Sequence, residues 1–158
     1  MNPPLACYCI PSPASDCTDD DVIERVTVGG MNKTSTCAAS GYSNYTSTDT
    51  ASLIVGGSNP ITVVTGDSWS EQVGVWIDYD RSGSFEASEF TNLGLTTAGS
   101  GGIHNGAIAV PSTVATGYTR MRVRVRFSTA LTVSLPPLPA PRLVWVMLLV
   151  KPKIIPLT

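Results

Sequence analysis

The chain has 158 residues, of which 14% are charged, and a formal net charge of −2. That length fits one domain with a real core. The near-neutral balance creates no field to draw in nucleic acid or an anionic membrane. Ser, Thr, Gly and Val dominate, and no segment carries a helical apolar stripe longer than a turn or two. This is an all-β composition, and the short strands with frequent turn signals predict an antiparallel β-sandwich, jelly-roll-like in form.

Residues 1–21 are rich in Pro, Cys, Ser and Asp and read as an extended lead-in tethered by disulfide. MNPPLACYC has neither the basic residues nor the apolar core of a signal peptide, so the start is read as a mature or truncated end. The four cysteines, Cys7, Cys9, Cys17 and Cys37, lack the paired knuckles and nearby histidines of a zinc site. Disulfides are the better reading, and they imply an oxidising, extracellular setting. Cys17 with Cys37 would close a loop at the base of the first strand. Cys7 and Cys9 are too close in sequence to pair, so a partner for one or both lies elsewhere.

The sandwich is expected over residues 22–135. Val22 to Gly30 reads as a strand ending in the Gly29-Gly30 turn. The Ser/Thr-rich stretch after it contains Asn32-Lys33-Thr34 and Asn44-Tyr45-Thr46, which match the N-glycosylation triplet. Exposed polar loops are the plainer reading of both. Ala51 to Gly56 and Pro60 to Thr65 read as two short strands around a Gly56-Gly57-Ser58-Asn59 turn.

The most informative stretch is VGVWIDYDRSGSFEASE, from Val73 to Glu89. Val73, Val75 and Ile77 alternate with Gly74 and Trp76, the period of a strand. From Asp78 the residues Asp78, Asp80, Ser82, Gly83, Ser84, Glu86 and Glu89 fall on positions 1, 3, 5, 6, 7, 9 and 12 of a calcium loop. A hard cation needs inward oxygens at those positions, a sharp turn at the sixth and a bidentate carboxylate at the twelfth. Ser82 is the departure, since a neutral hydroxyl replaces the usual Asp or Asn and weakens the site. The predicted ligands of Ca2+ are therefore Asp78, Asp80, Ser82, Ser84, Glu86 and Glu89, on a strand rather than between EF-hand helices. The competing reading is a metal-free acidic turn.

Phe90 to Thr97 reads as a further strand and Ala98 to Asn105 as a glycine-rich connection holding the lone His104, for which no catalytic partners stand nearby in sequence. In Tyr118 to Phe127, YTRMRVRVRF, Met121, Val123, Val125 and Phe127 face one way and Arg120, Arg122, Arg124 and Arg126 the other. A solvated basic face answering neighbouring acids is the expectation, with a polyanion site as the lesser alternative.

Taken in order, Tyr8-Cys9, Asp21-Val22-Ile23, Gly29-Gly30 with Asn32 and Cys37, the Tyr42 to Tyr45 pair, VWIDYD with GSFE, and TRMRVR resemble the GEVED domain over roughly residues 7 to 132. The resemblance implies an extracellular β-sandwich, found as a repeat or accessory module in secreted and cell-surface bacterial proteins, with no established catalysis. It also implies a metal-binding loop at Trp76, Asp78, Asp80, Gly83 and Phe85. The motif that names the family is missing near the C-terminus. Codons for Val150 to Ile155 read one base earlier can spell nearly that motif, and the same shift permits a cysteine near Leu143 as a partner for Cys9. The tail after about Leu131 is therefore read as a shifted frame.

Taken at face value, residues 136–158 form a Pro-rich spacer, Pro136 to Pro141, and an apolar strand from Leu143 to Val150, too short to span a membrane. Closure of its own sandwich ranks first, and donation to an identical subunit second. The functional expectations follow. The first is a non-catalytic, calcium-stabilised module for cell-surface adhesion or presentation beside neighbouring domains. The alternatives are a fibre or pilus-like subunit polymerising by strand exchange and a carbohydrate-binding accessory module with glycan partners. A glycoside hydrolase using acids between Asp78 and Glu89 ranks last, because a cation would keep those acids ionised.

Overall fold

The computed structural model describes residues 8, 17, 19–38 and 40–128, and the backbone course of residues 143–153. Its strands are β1 (Ile23–Val28), β2 (Met31–Thr34), β3 (Tyr42–Asn44), β4 (Thr50–Ile54), β5 (Ser58–Thr65), β6 (Glu71–Ile77), β7 (Phe90–Leu95), β8 (Ile103–Ala109), β9 (Thr119–Phe127) and β10 (Leu143–Lys153). One 3-10 turn, Ala87–Glu89, interrupts them. One sheet runs β2-β1-β5-β8 and the other β3-β10-β9-β6-β7, with β4 also paired to β10. The all-β sandwich expected from composition is what forms.

Alternation explains the core. Val73, Val75 and Ile77 of β6 and Met121, Val123 and Val125 of β9 point inward from one sheet, to meet Ile23, Val26 and Val28 of β1 and Ile61 and Val63 of β5 from the other. Ile23 and Val26 are three residues apart, a spacing that would put one of them on the solvent face of a regular strand. A register shift between Ile23 and Arg25 restores both to the core. Fully burying each such aliphatic side chain stabilises the fold by roughly 1.5–3 kcal/mol.

β10 runs antiparallel to β9 and parallel to β3 and β4. It lies inside its own sheet, the placement ranked first for the tail. Two readings of the connecting segments are corrected. The Ser/Thr-rich stretch after β1 is not all loop, because its residues form β2 and β3. The glycine-rich connection ends at Gly102, and His104 belongs to β8, opposite Val63 in the core of the sandwich.

The arginine row is also corrected. Arg122 and Arg124 are only 9% and 3% exposed, so this is not a solvated face. The Arg122 guanidinium lies 4.4 Å from the centre of the Phe85 ring, and the Arg126 Nη2 and Nε donate to Gln72 Oε1 at 2.7 and 3.0 Å. Burial, then the charges of Arg126 and Arg122, push Arg124 down to about 10. Phe127, assigned to the inner face, is 42% exposed, because β9 reaches past the end of the core there and packs its ring edge-on against Trp69. The N-terminal side is tied by a Cys17–Cys37 disulfide, as the spacing suggested. Cys9 lies outside the described residues, as does the Pro136 to Pro141 spacer.

Candidate metal centre

Strand β6 delivers Asp78 directly from the core. Ile77 is inward and Asp78, at 0% exposure, is the first residue past the sheet. The chain then turns through Arg81 (φ 60°) and Gly83 (φ 85°). The second of these is where glycine was expected, since a side chain is strained at that angle. Ala87–Glu89 forms its single turn, and Glu89 returns to the starting point with 5% exposure.

The result is a convergence of three carboxylates. Asp78, Asp80 and Glu89 each offer an oxygen, and these atoms all lie within 4.8 Å of one another. The loop's backbone holds them there. Ser82 N–H donates to Asp78 Oδ1 at 3.0 Å and to Asp80 Oδ1 at 2.9 Å, and Gly83 N–H to Asp78 Oδ2 at 3.1 Å. Glu89 receives Tyr79 N–H on Oε1 at 2.6 Å and Glu86 N–H on Oε2 at 3.1 Å. The Tyr8 hydroxyl, from the lead-in, donates to Asp78 Oδ2, and its ring packs 5.2 Å from Phe85. The Thr119 hydroxyl of β9 donates to the Asp78 carbonyl.

The other three predicted ligands sit differently. Ser82 Oγ donates to Glu86 Oε1 at 3.1 Å and accepts Ser84 N–H at 3.2 Å, so these three form a hydrogen-bonded chain beside the acidic triad. Asn32 and Asn44 are exposed, on β2 and at the end of β3.

Electrostatics bear on whether this donor set suits a cation. Among the described residues no Lys or Arg forms an ion pair with Asp78, Asp80 or Glu89. Burial, reinforced by the neighbouring Glu86 side chain and opposed by the two N–H donors, pushes Glu89 up to about 7. The Ser82 hydrogen bonds hold Asp80 below its ordinary value. Glu86 Oε2 is buried with no hydrogen-bond partner among the described residues. All-oxygen donors, negative charge that no described Lys or Arg pairs with, and a carboxylate oxygen without a described partner fit a hard divalent cation. A cleft of about 420 Å3 opens beside the triad, lined by Tyr79, Asp80, Arg81, Glu89, Pro111 and Val114.

Sequence reasoning missed a second acidic pair. Glu71, at the opposite end of β6, is fully buried, and Asp21, just before β1, is 1% exposed. The available signal was register, because Glu71 is in phase with Val73, Val75 and Ile77 and so must point into the core.

Fold and loop together define a two-sheet β module with an oxygen-rich acidic turn at one strand end. The family model of the GEVED domain matches residues 72–136, from within β6 through β9, which bears out the resemblance read from the sequence. That match includes the acidic turn and the TRMRVR strand, while the N-terminal part of the resemblance lies outside it. No curated protein and no solved structure matches the chain.

Proposed function

We propose that this chain is a non-catalytic, extracellular β-sandwich module whose acidic loop binds Ca2+, and that it serves adhesion or presentation at a cell surface. The observation that carries the reading is the convergence of Asp78, Asp80 and Glu89 on a turn shaped by Gly83. Asp78, Asp80 and Glu89 would hold the ion, with Ser82, Ser84 and Glu86 supplying further oxygen or positioning it through their hydrogen-bonded chain. The ion would neutralise charge that no described Lys or Arg pairs with and fix the strand-to-loop bend. With Ser82 at the fifth position, affinity belongs in the weak extracellular range, roughly 10⁻⁴ to 10⁻³ M. The Cys17–Cys37 disulfide supports an oxidising location.

The test is a thermal melt with millimolar calcium and again with excess chelator, paired with a calorimetric titration. Calcium binding raises the melting temperature; coincident melts and a flat titration defeat the reading. The fibre-subunit alternative needs a strand free to be donated, and β10 pairs within its own sheet. That favours a monomeric module, which size-exclusion chromatography with light scattering distinguishes from regular polymers.

A further inference from the structure

The acidic pair at the far end of β6 has no role in the calcium reading and lies in different surroundings. Residues 19–22 are fastened there to residues 66–69. Asp20 Oδ2 accepts Asp67 N–H at 3.0 Å and Ser68 N–H at 2.9 Å, Trp69 Nε1 donates to the Asp19 carbonyl at 2.6 Å, and Gly66 N–H donates to the Val22 carbonyl at 3.0 Å. The approach is close enough that a Cβ on Gly66 would fall 1.9 Å from the Asp20 carbonyl oxygen. Inside this junction Asp21 lies within hydrogen-bonding reach of Glu71. No group among the described residues donates to either Glu71 carboxylate oxygen.

Two carboxyl groups that face each other out of water, with no donor to Glu71, repel when both are ionised. One proton between them turns the same contact into a strong O–H···O⁻ bond. Among the described residues, none of the charges acting on Glu71 is positive. From the approach to β1 the charges acting on Glu71 are those of Asp21 and Asp20. From the end of β7, Thr96 gives its N–H and hydroxyl to the Glu71 carbonyl, leaving the carboxyl untouched. From β8, His104 lies 3.4 Å from that same hydroxyl, and burial pushes it down to about 4, so it is neutral at physiological pH. From β9, Phe127 stands opposite in register.

We propose that Asp21 and Glu71 form a proton-sharing carboxyl pair, a latch that fastens the approach to β1 onto the start of β6 and closes this end of the sandwich only while the proton is bound. Burial first, then Asp21, pushes Glu71 up to about 9. The folded value lies above the unfolded one, so the stabilisation is fully present below about pH 4.3 and is lost as pH rises toward 9.

The test is urea unfolding of the full chain from pH 5 to pH 8, in calcium and in chelator, for the wild type, Glu71→Gln and Asp21→Asn. Folding of the wild type takes up a proton that Glu71→Gln does not, so the wild-type unfolding constant gains about tenfold more per pH unit than that of the variant. Asp21→Asn offers Glu71 a donor and shrinks the same slope. Equal slopes in the wild type and Glu71→Gln overturn the latch. Should both variants fail to fold, a wild-type stability that is flat over this range overturns it alone. Stability that rises with pH in calcium but not in chelator also overturns it, because the pair would then hold a cation.

Discussion

Strand β6 carries carboxylates at both ends, about 20–25 Å apart by strand rise, and the two ends handle them in different ways. At the loop end, Asp78 and Glu89 are buried but surrounded by backbone N–H groups at 2.6–3.1 Å, and Asp80 reaches solvent. At the other end, Glu71 is buried to the same degree with no donor to its carboxyl among the described residues. Donated N–H groups favour the ionised form and oppose the burial that raises Glu89, so Glu89 reaches only about 7 while Glu71, with no described donor, reaches about 9. The dry pair recruits a proton. Burial raises both acids, and the donors each fold region supplies decide how far that rise is opposed.

The largest effect expected from breaking this contrast is at Glu89. Glu89→Ala removes the acceptor for Tyr79 and Glu86 N–H groups and a predicted ligand together. Two partly buried donors left without their acceptor cost about 1 kcal/mol each. Loss of calcium removes a further 2.7 kcal/mol or so where the ion stands at a hundred times its dissociation constant. Exposed Asp80→Ala should lose the calcium term while leaving stability in chelator nearly unchanged. Melts of both variants with and without calcium check this, and identical behaviour would mean that the triad acts only through hydrogen bonds.

A swap sharpens the comparison at slightly smaller scale. Glu71→Gln should leave the calcium response intact, and Asp80→Ala, compared with the wild type in chelator, should leave the slope between pH 5 and pH 8 nearly intact, because the two ends share no partner. His104 supplies an acid-side counterpart. Its folded value, about 4, lies below the unfolded one, so its contribution is present above about pH 6.5 and is lost as pH falls through 4. Replacing it with an uncharged, similarly sized Gln should flatten that acid limb, by up to about tenfold per pH unit in the unfolding constant. Retention of the limb would place it in other groups.

The two ends were unequally legible in the sequence for a physical reason. The loop's donors lie within twelve positions of one another, so their spacing alone fixes which oxygens can converge. Asp21 and Glu71 are brought together only by the pairing of distant strands, and each looks like an ordinary polar residue at a strand end. The same limit explains the arginines. Period two assigned Arg122 and Arg124 to the face opposite Val123 and Val125, but could not say that Phe85 would fold back over that face. For β10 the apolar run showed a strand, whereas its parallel pairing with β3 and β4 depends on long-range topology. β2 and β3 were lost among Ser and Thr residues because each is short, with one polar flank after another.

The smallest change is the most discriminating at the loop end. Tyr8→Phe keeps the ring that packs on Phe85 but removes the hydroxyl that donates to Asp78 Oδ2. Burial and the Asp78 carboxylate hold that phenol above its ordinary value, so it stays protonated and donating at neutral pH. If its role is only to tie down the lead-in, the variant loses about 1 kcal/mol regardless of calcium. If it orients Asp78 for the ion, as second-sphere donors do, the loss appears as weaker calcium binding, by about tenfold or more. A calorimetric calcium titration of Tyr8→Phe beside its melt in chelator separates these outcomes, and the calcium reading expects the second. Unchanged affinity with a lowered melt would place Tyr8 in the anchoring of the lead-in, leaving the backbone N–H groups of Ser82 and Gly83 to orient Asp78 by themselves.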